Sequence, residues 1–170
     1  IESVQASRSY NVLVGGAILC DSGSSPTIRF NVLRDNHIDT AYGSGIACFD
    51  SLTSPVITDN LITNTTSWES MAGAIYAGSG TRVTINNNDI TNNRSGGVCC
   101  NGDEVVITNN RIQSNFCDGV DGGIVCGGCP SAVIRGNEIT GTGGNHSFAA
   151  IWLCGSVVEI SGNTIMHNVG

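Results

Sequence analysis

Residues 105–115 read VVITNNRIQSN and place Ile107, Asn110, Ile112 and Asn115 in the frame I-x-x-N-x-I-x-x-N. The core of that frame returns as Ile28-Asn31-Leu33, Ile57-Asn60-Ile62, Ile85-Asn88-Ile90, Ile134-Asn137-Ile139 and Ile160-Asn163-Ile165, with a weaker match at Asn11 and Leu13. Successive asparagines of the six full matches are 29, 28, 22, 27 and 26 residues apart. A short recurring period marks a solenoid, because a unit of that size cannot bury its own apolar face and must stack on its neighbours.

A second block precedes each frame: Gly16-Ala17-Ile18, Ser44-Gly45-Ile46, Gly73-Ala74-Ile75, Gly96-Gly97-Val98, Gly122-Gly123-Ile124 and Ala149-Ala150-Ile151. Two residues after each aliphatic stands Cys20, Cys48, Ala77, Cys100, Cys126 or Leu153. That alternation is the period of a strand, and no window has the apolar spacing of an amphipathic helix. Each repeat therefore reads as two or three short strands joined by turns. The expected fold class is all-β, a parallel β-helix of about six rungs. At about 4.8 Å per rung the rod would stand roughly 29 Å tall. The asparagine column, Asn31, Asn60, Asn88, Asn110, Asn137 and Asn163, is expected to form a ladder. An Asn tolerates the tight corner, and its amide can bond to the amides above and below it.

On these repeats, over about residues 11–170, the chain resembles the right-handed parallel β-helix repeat family. That superfamily includes pectate lyases, alginate epimerases and NosD-like proteins. The resemblance implies the fold, but unrelated activities share this scaffold, so function has to be argued from a site. The Asp-Pro-His signature expected of alginate epimerases is absent, as is the Gly-His-Gly expected of polygalacturonases.

The length, 170 residues, is that of one domain. Residues 1–14 match the frame poorly and read as a partial rung or a pairing arm, with the β-helix over 15–170. Glycine is abundant at 23 residues and aromatic content is 5%, which suits turn-rich β structure. The net charge of −7 speaks against nucleic acid as a partner. No apolar run approaches the length of a membrane span. Eight cysteines form an even set that permits disulfides. Cys20, Cys48, Cys100 and Cys126 fall on the inward column, as small buried hydrophobes. Cys99, Cys117, Cys129 and Cys154 fall outward or at corners and are the candidate disulfide residues. Cys126-Gly127-Gly128-Cys129 is a C-x-x-C, but it lacks the helix that opens redox motifs of the βαβ type and a second pair at zinc spacing.

The segments of variable length follow each frame and share one register, which gathers them on one edge of the rod. Insertions on one face of a repeat protein are where binding sites concentrate. The candidate ligand-binding residues on that edge are His37, Asp39, Trp68, Glu69, Asp118, Asp121 and His146, with Trp68 as a sugar-stacking platform. No cofactor and no metal site is expected; Asp118 and Asp121 make calcium the one ion to consider, although further oxygen ligands would be needed. Two outward columns, Thr27 to Glu159 and Leu19 to Trp152, are apolar for a solvent face and suggest a covering partner. A β-helix also ends in open sheet edges. The leading functional expectation is a structural, extracellular or cell-surface element that self-associates end to end, as a filament or surface-assembly subunit, or forms part of a longer surface protein. The alternative is a carbohydrate-binding or carbohydrate-active β-helix, lyase- or epimerase-like, with a polysaccharide on the loop edge.

Overall fold

The structure, a computed structural model, describes residues 5–6, 15–39, 42–68, 72–119, 122–145 and 150–169. The expected candidates Glu69, Asp121 and His146 lie outside the described residues. Three six-stranded parallel sheets form the faces of a solenoid. The first face comprises Ile18–Cys20, Gly43–Cys48, Gly73–Ala77, Val98–Cys100, Ile124–Gly127 and Ile151–Cys154. The second comprises Thr27–Arg29, Val56–Thr58, Arg82–Asn86, Glu104–Thr108, Ser131–Arg135 and Val158–Ser161. The third comprises Val32–Arg34, Leu61–Thr63, Asp89–Thr91, Arg111–Gln113, Glu138–Thr140 and Thr164–Met166. Six strands in register enclose five intervals, so the solenoid makes about five turns rather than the expected six. Gln5–Ala6 pairs in parallel with His37–Ile38 at the start of the rod. No helix of the described residues is long and apolar enough to cross a membrane.

Alternation sends one side of every strand into a single core. Ile57, Ile85, Ile107 and Ile134 are register partners on the second face, and Ile62, Ile90, Ile112 and Ile139 on the third. All eight are fully buried. The small-small-aliphatic block has a steric reason. A Cβ added at Gly123 would sit 1.9 Å from the Ala150 carbonyl oxygen, so successive turns touch backbone to backbone there.

The asparagine ladder runs between the second and third faces. Asn110 Nδ2 donates to the Ile85 carbonyl at 2.9 Å and to Asn137 Oδ1 at 3.0 Å. Its own Oδ1 accepts from the Asn88 backbone N–H at 2.8 Å and from Asn88 Nδ2 at 3.0 Å. The same bonds link Asn60 to Asn88 and Asn137 to Asn163. A second polar column, not anticipated as such, lies five residues on: Asn36, Thr65, Asn93, Asn115, Thr142 and Asn168. Thr65 and Asn93 each donate a backbone N–H to the side-chain oxygen of the next turn, at 2.9 and 3.0 Å.

The outward column of the first face is not a solvent face. Ala47, Tyr76, Cys99 and Val125 are buried and pack with Phe49 into a second apolar cluster, with Tyr42 and Trp152 against it. Tyr42 stacks on Tyr76 with ring centroids 4.7 Å apart. Tyr42 and Phe49, which flank Gly43–Cys48, supply part of the cover, while Leu19 at the start of the column is 46% exposed. Burial raises the Tyr76 phenol to about 12 and the Cys99 thiol to about 12. Among the disulfide candidates, Cys99, Cys117 and Cys129 are therefore buried rather than outward or at open corners, and Cys154 is exposed. None of the eight cysteines is joined in a disulfide in this structure. On the second face, by contrast, the outward Thr27, Val56 and Glu159 are exposed.

Candidate functional site

The loop edge begins where each turn leaves the third face. After the second polar column the chain makes one more step, a short strand at His37-Ile38, Thr66-Ser67, Phe116-Cys117 and Gly143-Gly144 and a turn at Arg94-Ser95. Backbone bonds hold these steps in register: Thr66 N–H to Asn36 O at 2.9 Å, Arg94 to Thr65 at 2.8 Å, Phe116 to Asn93 at 2.8 Å and Gly143 to Asn115 at 3.0 Å. Ile38, Ser67, Ser95 and Cys117 are buried, whereas His37, Asp39, Thr66, Trp68, Arg94, Phe116 and Asp118 are half-buried or exposed. Beneath them, Ser44 Oγ lies 2.6 Å from Thr65 Oγ1 and 2.5 Å from Ser95 Oγ. That hydroxyl cluster gives the edge a fixed, hydrogen-bonded floor.

Four surface side chains line up along this edge, one per turn. The Arg94 guanidinium carbon lies 5.7 Å from the centroid of the Trp68 ring, a cation–π contact. Arg94 NH2 lies 3.9 Å from Asp118 Oδ2, and Asn145 Nδ2 donates to Asp118 Oδ1 at 2.7 Å. Trp68–Arg94–Asp118–Asn145 therefore climbs three rung intervals, roughly 14 Å at about 4.8 Å each. Trp68 remains 55% exposed. His37 and Asp39 pair with each other, Nε2 to Oδ1 at 3.3 Å, one turn before Trp68. Of the expected candidates, the structure joins Trp68 and Asp118 through Arg94, and His37 with Asp39.

Arg94 and Asn145 were not among the sequence candidates. The signal for Arg94 was present: its repeat is the shortest, so almost no loop separates Asn93 from the next glycine block, and Arg94 has to fall on the edge. Asn145 was legible only as a residue of a glycosylation sequon. The sequence holds N-x-S/T sequons at Asn64, Asn93 and Asn145, and the structure separates them. Asn93 is fully buried with its amide bonded to Ile62 O and Asn115 Oδ1, while Asn64 and Asn145 are exposed.

The line offers an aromatic surface, a cation, a carboxylate and an amide at rung spacing. This set suits binding of a polyhydroxylated ligand. Glycoside hydrolysis in its usual form needs two carboxyl groups facing each other across the bond, and among the described residues the line itself holds one, Asp118. Among the described residues, no group of three or more His, Cys, Asp or Glu side chains is placed to hold a metal ion. The outward charges Asp89 and Arg111 pair with each other at 2.6 Å on the third face, away from this edge.

A family model described as a right-handed beta helix region matches residues 58–170, about two thirds of the chain. No curated protein and no solved structure matches the chain.

Proposed function

The chain belongs to the right-handed β-helix family, and on that premise we propose that it binds a polysaccharide along its loop edge. Trp68 is the stacking surface, and Arg94, Asp118 and Asn145 are the polar contacts. The observation behind this reading is their alignment over four turns on a hydrogen-bonded floor. Sugar rings present apolar faces to aromatic side chains and hydroxyls to fixed donors and acceptors. Arg94 adds a preference for acidic sugars, because its planar donors match a carboxylate. An extracellular or cell-surface location suits such a ligand.

Affinity electrophoresis against uronate polymers and neutral glucans, with and without calcium, tests the reading. Trp68→Ala should abolish retardation by both classes, and Arg94→Ala should weaken only the uronate. Equal retardation of wild type and Trp68→Ala, or none of either, sinks the proposal. Formation of an unsaturated-sugar absorbance in the same samples would add lyase activity to binding.

Self-association is a second reading, favoured by the last described turn. Leu153, Ile160 and Ile165 sit in core columns yet are 41%, 45% and 48% exposed. A further β-helix turn, such as one from a second copy, would cover them. Light scattering of the chain beside Ile165→Glu distinguishes this reading from the first.

A further inference from the structure

Charge changes from turn to turn along the loop edge. His37-Ile38 is in register with Thr66-Ser67, so Asp39 and Trp68 follow at the same position of successive turns. From there the edge reads Asp39, Trp68, Arg94, Asp118 and Asn145, one residue per turn. In sign this is negative, neutral, positive, negative, neutral. All of these side chains reach the surface. Trp68 and Asn145 are exposed, and the side chains of Asp39, Arg94 and Asp118 are 55%, 60% and 43% exposed.

Arg94 therefore has an uncharged aromatic on one side and a carboxylate on the other. Its NH2 stands 3.9 Å from Asp118 Oδ2, too far for a hydrogen bond, which leaves guanidinium donors for a ligand. Asp118 Oδ1 accepts from Asn145 Nδ2 at 2.7 Å, and the carboxylate keeps further lone pairs. A ligand group that faces Asp118 has to be a donor, such as a hydroxyl or an amide N–H. A second carboxylate there would meet like charge, and like-charge juxtaposition is how an interface rejects a wrong partner.

The rung spacing turns this into a rule about the ligand. Turns repeat at about 4.8 Å, and an extended 1,4-linked sugar chain advances by close to one rung per sugar. Laid along the rod, such a chain presents one sugar to each turn. A polymer with a carboxylate on every sugar sets one against Asp118 whenever another reaches Arg94.

Resting on the polysaccharide reading of this edge, we propose that the ligand is an acidic polysaccharide whose carboxylates stand at least two sugars apart, and that Asp118 is the residue that rejects a carboxylate on every sugar. An acidic sugar lies at Arg94, with neutral sugars at Trp68 and Asp118 on either side. The next acidic sugar meets the Asn145 amide, a neutral donor. Two turns before Arg94 stands Asp39, paired with His37 at 3.3 Å, and its carboxylate ends the favourable stretch on that side.

The probe is a single 1,4-linked polymannuronate with a graded fraction of its carboxyls methyl-esterified, so that backbone and linkage stay constant while charge spacing changes. Affinity electrophoresis of the full chain at low ionic strength reads the dissociation constant across the series. The tightest binding is expected at intermediate esterification. The free acid should bind about fivefold more weakly through one like-charge contact, and the full ester about fivefold more weakly through loss of the partner of Arg94. Asp118→Asn should bring the free acid up to the level of the half-ester. Affinity that rises steadily to the free acid, or steadily to the full ester, overturns the proposal. So does an Asp118→Asn variant that keeps the wild-type profile. Retardation that depends on Trp68 but has no maximum across the series defeats this inference and leaves the polysaccharide reading standing, whereas no retardation by any member removes both.

Discussion

Ile134 and Ile160 are register partners on the second face, and Ile139 and Ile165 on the third. The first of each pair is fully buried, whereas Ile160 is 45% and Ile165 48% exposed. Residue type, column and strand geometry are the same. What differs is that Ile134 and Ile139 have a turn stacked on either side. In a solenoid a side chain is buried by its neighbouring turn, so the same substitution should cost different amounts at different heights.

The largest contrast is expected in the ladder. Asn110→Ala leaves the Asn88 N–H and the Ile85 carbonyl without this partner inside a buried column, while the Asn88 amide keeps its bonds to the Ile57 and Asn86 carbonyls. At about 1–3 kcal/mol for each unsatisfied buried group, less what the site recovers by relaxing, the loss should be roughly 4 kcal/mol. Asn163→Ala removes the equivalent bonds of Asn137 and Ile134. Asn163 is only half-buried, so water replaces part of what is lost, and about 1 kcal/mol is expected. Urea unfolding of both variants measures the difference, and equal losses would break the comparison. In the core, Ile112→Ala should cost about 3 kcal/mol, within the usual range for a buried aliphatic, and Ile165→Ala less than about 1 kcal/mol.

The covered outer face sharpens the comparison by a different route. It faces away from the solenoid axis, yet Ala47, Tyr76, Cys99 and Val125 are buried on it. Cys99 is raised from 9.0 to about 12, with burial the main cause. Above the unfolded value of 9.0 the unfolded chain gives up this proton while the folded chain keeps it. The unfolded state then binds fewer protons, so stability falls as pH rises from about 9 towards 12. Tyr76, raised from 10.0 to about 12, acts in the same direction over the upper part of that window. A loss on the order of 2 kcal/mol by pH 11 is expected. Cys99→Ala should flatten the slope between pH 9 and 10, and an unchanged slope would show that the outer cluster is wet.

One effect has the opposite sign. Phe30 adopts φ 56°, in a corner column otherwise held by Asp59, Asn87, Asn109, Gly136 and Gly162, all at positive φ. It is 75% exposed, so little packing offsets the strain. Phe30→Asn should raise stability by about 1 kcal/mol, read as a higher Tm. A fall in Tm would mean that the Arg29 guanidinium, 5.7 Å from the Phe30 ring centroid, contributes more than the backbone strain costs.

The legible part of this protein is its periodic part. Strand alternation, the buried Ile columns, the glycine blocks and the first asparagine column all depend on residue type and spacing. Stacking then repeats one local environment turn after turn, so a pattern along the chain becomes a pattern in space. The second polar column was half-hidden because Thr65 and Thr142 interrupt its asparagines. Nor could spacing settle which cysteines are buried and which surface side chains meet. Trp68, Arg94, Asp118 and Asn145 belong to four different turns, and Cys99 looked outward until Tyr42, Phe49 and Tyr76 closed over that face. Those contacts depend on how loops of unequal length fold against neighbouring turns. No single repeat encodes that geometry, and only the assembled solenoid decides it.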